Sequence, residues 1–158
     1  MELVIELSRM NVKNGTGGSF TAAVFDIRSD RLLAPGVNLV VPACCSVAHA
    51  EIVAIAIAQQ VVRQYDLGGK GAPPCEIVTS TEPCAMCFGA IPWSGIRRII
   101  CGARSEDAMG IGFDEEPKPH DWVRQLGMRG IAVLRDGCRS AGSCCCSEAV
   151  SRGRRTDL

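Results

Sequence analysis

Apolar residues at Leu3, Leu7 and Met10 recur at helical spacing and predict an amphipathic helix over residues 1–11. Asn14-Gly15-Thr16-Gly17-Gly18 breaks it, because glycines at this density favour turns. Residues 19–27 and 32–41, joined by Arg28-Ser29-Asp30-Arg31, read as two strands of a hairpin. Residues 47–62 are apolar on nearly every side, which predicts a buried helix with Ser46 as its N-cap and His49 and Glu51 in its first turns. A glycine- and proline-rich loop over 68–74 leads into a short buried strand, 76–80. Pro83 then stands where proline is best tolerated, at the first position of a helix. That places Cys84 and Cys87 on one face of its first turn, and Ile91-Pro92-Trp93-Ser94-Gly95 ends it. A strand over 97–103, a helix over 121–128 and a strand over 131–134 follow. An opening hairpin followed by alternating helices and strands predicts an α/β fold, a mixed five-stranded sheet with helices on both faces.

The 158 residues suit one domain, assigned to 1–136. Residues 137–158 contain Cys144-Cys145-Cys146, Arg152, Arg154 and Arg155 without either periodicity, and read as a divergent, poorly ordered tail. Seventeen basic and seventeen acidic residues cancel, and no basic cluster announces a nucleic-acid partner. Aromatic residues are too few to suggest a base-stacking platform. No apolar stretch is long enough to cross a bilayer, and the acidic start, with Glu2 and Glu6, is unlike a secretory leader. A cytoplasmic chain is expected, its ten cysteines free or metal-bound rather than paired in disulfides.

The chemistry gathers in His49-Ala50-Glu51 and Pro83-Cys84-Ala85-Met86-Cys87. One histidine and two cysteines supply three ligands to zinc and leave the fourth tetrahedral position to water, the stoichiometry of a catalytic site. A metal in that position acidifies its water to a pKa of about 7. Glu51, two residues from His49, suits proton transfer better than metal binding. Each half alone is weak. His-x-Glu is common, and one Cys-x-x-Cys can be half of a structural zinc site or a redox pair. The other histidine, His120, stands in a loop-like stretch, and the order of the two motifs favours a metal-assisted hydrolase acting on an amino-bearing carbon. Asn38 reads either as a turn or bulge residue or as a pocket-rim amide.

With these motifs the chain resembles the cytidine and deoxycytidylate deaminase superfamily, and within it the bacterial guanine deaminases. The resemblance runs from about Asn11 to Leu134. It rests on Gly18-Ser19-Phe20-Thr21-Ala22-Ala23-Val24, Val37-Asn38, Ala48-His49-Ala50-Glu51, Thr81-Glu82-Pro83-Cys84-Ala85-Met86-Cys87, Ile91-Pro92-Trp93-Ser94-Gly95 and Ile111-Gly112-Phe113-Asp114-Glu115. It implies a three-layer α-β-α fold of the cytidine-deaminase type and one zinc per chain, held by His49, Cys84 and Cys87, with Glu51 as proton shuttle. It further implies that Asn38 hydrogen-bonds a purine, that Ala50 contacts it, and that Phe20, Trp93 and Phe113 wall its ring. Asp114 or Glu115, with Glu115 favoured, would carry a proton to the leaving amino group. The implied reaction takes guanine and water to xanthine and ammonia, with aminotriazines such as ammeline as side substrates, in a homodimer. The competing expectations are a deaminase of cytosine or of adenosine in tRNA, and a zinc-binding but catalytically impaired relative. Family members end in a helix and a tyrosine-bearing segment that closes over an active site, whereas the only tyrosine here is Tyr65.

Overall fold

The computed structural model describes residues 1–110, 112–114 and 117–137. The expected tail, apart from Gly137, and Glu115 therefore lie outside the described residues. In chain order the elements are α1 (Glu2–Lys13), β1 (Gly18–Asp26), β2 (Arg31–Asn38), α2 (Ala50–Val62), β3 (Cys75–Thr81), α3 (Ala85–Ser94), β4 (Arg98–Ala103), α4 (Ser105–Gly110), α5 (Trp122–Met128) and β5 (Ala132–Leu134). The strands form one mixed sheet in the order β2-β1-β3-β4-β5. β1 runs antiparallel to β2 and β3, whereas β3, β4 and β5 are parallel and joined through helices, as parallel strands require. Ile77 and Ile99 face α2, α3 and α5, with Ala54, Ile91 and Leu126 in the same core. The opposite pleat presents Ala23 and Val78 to Val4 of α1. The three-layer expectation holds.

The opening helix turns a different face to the sheet from the one its apolar periodicity predicts. Val4, Ile5, Ser8 and Asn11 are buried, while Leu3 and Met10 are exposed. Two polar residues can occupy the inner stripe because each finds a backbone partner. Ser8 Oγ donates to the Ser19 carbonyl, and Asn11 Nδ2 donates to the carbonyls of Gly18 at 2.8 Å and Asn38 at 3.3 Å. A buried polar group so paired costs little.

Both central helices start later than predicted. His49, not Ser46, is the N-cap of α2, and Cys84 is the N-cap of α3, so Pro83 lies just outside the helix. Gly36 lets α2 lie close against β2: a β-carbon there would come within 2.2 Å of the Ala50 carbonyl and 2.6 Å of the Ala54 amide. That close approach brings the start of α2, with His49 and Glu51, to the Asn38 end of β2. Among the described residues no helix is long and apolar enough to cross a membrane.

Candidate active site

β3 delivers the chain through Pro83 to Cys84, and α2 begins at His49, so two helix N-termini meet at one end of the sheet. Both cap residues are extended, with φ −66° and ψ 153° at His49 and φ −66° and ψ 175° at Cys84. Cys87 follows in the first turn of α3 and is fully buried. The ligand atoms of His49, Cys84 and Cys87 lie within 4.8 Å of one another. His49 Nδ1 is 3.5 Å from Cys84 Sγ and 3.7 Å from Cys87 Sγ. Tetrahedral zinc, with bonds of about 2.05 Å to nitrogen and about 2.3 Å to sulfur, sets nitrogen–sulfur separations of about 3.6 Å. The donor set and its spacing fit that ion.

The electrostatics of the metal-free cluster follow from its packing. The Cys87 thiol donates to Cys84 and outweighs burial there, and with His49 also in contact the Cys84 pKa falls to about 4. Cys87, holding the shared proton in a buried place, is pushed upward. The partial positive charge at two helix N-termini favours thiolate at both positions. Glu51 lies in the first turn of α2 and is buried. Burial raises its pKa above the ordinary carboxylate value, opposed in part by its own backbone N–H and reinforced by the Cys84 charge. A carboxyl with raised proton affinity beside a metal cluster is placed to take up and pass on a proton.

A cavity of about 610 Å³ opens over this cluster, and His49, Glu51 and Cys84 share its lining with Phe20, Asn38, Phe113 and Asp114. Phe20 and Phe113 meet edge to face, ring centroids 4.7 Å apart at 79°, an arrangement that stabilises an aromatic wall. Asn38 closes β2. Its Oδ1 accepts from the Val40 N–H at 3.2 Å, and its carbonyl accepts from Asn11. Both of its sequence readings find a counterpart: Asn38 lines the cavity, and the β1–β2 register is irregular beside it.

Two expected residues stand elsewhere. Trp93 lies in the last turn of α3, 87% exposed, and lines a separate shallow depression with Arg97 and Arg129. It stands eight positions beyond Ala85, which at about 1.5 Å per residue is roughly 12 Å along the axis. Ala50 is fully buried behind the cluster, against β2, and does not line the cavity. Conversely, Ser19, the Val40-Val41-Pro42 segment and Glu82 line the cavity without having been assigned to it. In the sequence, the apolar segment after Asn38 continues the strand pattern, which conceals its place at the rim.

The model of the cytidine and deoxycytidylate deaminase zinc-binding region matches residues 1–103, and the chain belongs to this family. It is a hydrolytic deaminase fold with a zinc-binding region, and His49, Cys84 and Cys87 form the candidate metal site. Among its relatives, a guanine deaminase of Bacillus subtilis is 34% identical over 115 residues, which cover 73% of this chain and 69% of the relative. A guanine deaminase from Nitrosomonas europaea, known by its structure, is 46% identical with a TM-score of 0.89 over 97% of this chain and 82% of that one. A probable cytosine deaminase of Schizosaccharomyces pombe is 46% identical over a shorter 84 residues, 53% of this chain and 48% of the relative.

Proposed function

We propose that this chain hydrolyses guanine to xanthine and ammonia. The observation that carries the reading is the cavity whose lining His49 and Cys84 of the metal cluster and Glu51 share with Asn38 and the Phe20–Phe113 pair. Likeness to guanine deaminases over most of the chain supports the choice of base, whereas the cytosine deaminase match is confined to about half of it.

When bound to His49, Cys84 and Cys87, zinc supplies an acidified water at neutral pH. Glu51 takes a proton from the attacking water and passes it to N3 as C2 of guanine becomes tetrahedral. With Oδ1 held by the Val40 N–H, Asn38 presents its NH2 to an acceptor on the base. Phe20 and Phe113 keep the ring flat against the wall and exclude water from it. Asp114 lines the cavity, and Glu115 lies outside the described residues. One of these two acids protonates the departing amino group, since an amide anion is a poor leaving group. Zinc-loaded protein should release ammonia from guanine, with ammeline as a slower substrate. Release from cytosine or from tRNA adenosine, and none from guanine, would overturn the reading.

The domain that does this spans 1–136, and we place it in the cytoplasm as a homodimer. Among the described residues, Cys44, Cys45, Cys75 and Cys101 are free thiols. Ile57 and Val61, one turn apart on α2, and Trp93 on α3 leave apolar surface for a second copy to cover.

A further inference from the structure

Beneath the start of α3 lies a buried charge cluster that the reaction proposed above does not use. Glu82, the residue before Pro83, has a side chain 1% exposed. Arg135 Nε donates to its Oε1, while the Ser105 amide and hydroxyl donate to its Oε2 at 3.3 and 3.2 Å. Lys118 is nearly as deep, its side chain 8% exposed, with the Trp122 ring 4.8 Å from Nζ. The cluster joins the end of β3, the start of α4, the segment before α5 and the residue after β5.

Neutralising a buried carboxylate is the obvious duty for Lys118, but the distances assign it another. Its Nζ is 3.9 Å from Glu82 Oε2, beyond a hydrogen bond, and Arg135 already pairs with that carboxylate. The bonds that Lys118 does make go to Ser105 Oγ at 2.6 Å and to the Pro83 carbonyl at 2.7 Å. That carbonyl belongs to the peptide unit joining Pro83 to Cys84. Fixing its plane fixes the direction in which Cys84 leaves the strand, and therefore where its sulfur sits relative to His49.

We propose that Lys118 is a positioning residue for the metal site, holding the Pro83–Cys84 peptide so that Cys84 Sγ meets His49 and Cys87 at ligand spacing. The proposal rests on the reading that these three residues hold zinc. Groups that orient metal ligands typically cost 10- to 100-fold in metal affinity when removed.

The test is zinc affinity, measured by chelator competition on the full chain without substrate, for wild type, Lys118→Met and Lys118→Met/Glu82→Gln. In the double variant no buried carboxylate depends on Lys118, so folding is protected while the Pro83 carbonyl still lacks its donor. Affinity should fall 10- to 100-fold in the single variant and stay as low in the double. Wild-type affinity in Lys118→Met, or affinity restored in the double, would show that Lys118 only balances charge. If Lys118→Met fails to fold, the double decides alone. A wild type that takes up no zinc overturns the metal site and the proposal together. A wild type that binds zinc but releases no ammonia from guanine refutes the substrate reading and leaves this comparison standing.

Discussion

Gly17→Ala is the sharpest test of how the cavity reads its base. Gly17 precedes β1 with φ +156°, and a β-carbon there would lie 2.0 Å from the Asn38 carbonyl oxygen and 2.8 Å from Asn11 Nδ2. Carbon–oxygen contacts close at about 3.3 Å, so the added methyl must push the Asn38 backbone away by about 1.3 Å. Asn11, which anchors the same carbonyl, is displaced with it. A misplacement of about 1 Å at a substrate-positioning group costs on the order of 100-fold in rate, or about 2.7 kcal/mol. Steady-state guanine deamination should therefore show kcat/KM lowered about 100-fold with zinc content unchanged, because the metal cluster stands on α2 and α3. In an Asn38→Ala background the further loss from Gly17→Ala should be small, since both changes act through one group. Near-wild-type kcat/KM in folded Gly17→Ala would refute the reasoning, and so would a full 100-fold loss in the Asn38→Ala background.

Three further outcomes follow from the same structure. Glu51→Gln should retain one zinc per chain and lose about 100- to 10,000-fold in kcat; zinc lost with the carboxylate would make Glu51 a ligand instead. Burial pushes the Cys101 thiol up to about 12, so above its ordinary value of 9.0 the unfolded chain gives up this proton before the folded one does. Stability should accordingly fall as pH rises from 9 towards 12, and Cys101→Ala should flatten the fall in thermal midpoint; parallel curves would argue against it. Trp93→Ser should weaken self-association by about tenfold or more in sedimentation, as loss of an interfacial tryptophan does, and a wild type that sediments as a monomer at micromolar concentration would refute the homodimer.

The strands and the metal cluster were legible because they rest on local patterns. Alternating or continuous apolar runs marked the sheet, and His-x-Glu and Cys-x-x-Cys marked the two helix starts. Features set by distant partners were not legible. Ser8 and Asn11 look like solvent-facing residues until the strand-end carbonyls that accept from them are known. Ser46 is a better N-cap by propensity than His49, but tertiary constraint at the cluster set the helix start. α4 is too short, at six residues, to carry a periodicity. The Glu82 cluster joins residues up to 53 apart, and nothing local distinguishes its charges from solvated ones. Only the resemblance points to Trp93 as a wall of the ring site, and nothing local to it marks its exposed position in the last turn of α3.

The cap positions of α2 and α3 hold one last consequence. Neither His49 nor Cys84 carries a side-chain oxygen to cap its helix, although a serine or aspartate there would stabilise each start by about 1 kcal/mol. The chain forgoes an oxygen cap at the two places where ligands are needed. A shared ion bridging those positions ties together helices that begin thirty-five residues apart, and every increment of its binding free energy is added to the stability of the fold. Metal uptake would thus contribute to the stability of the fold as well as to its chemistry.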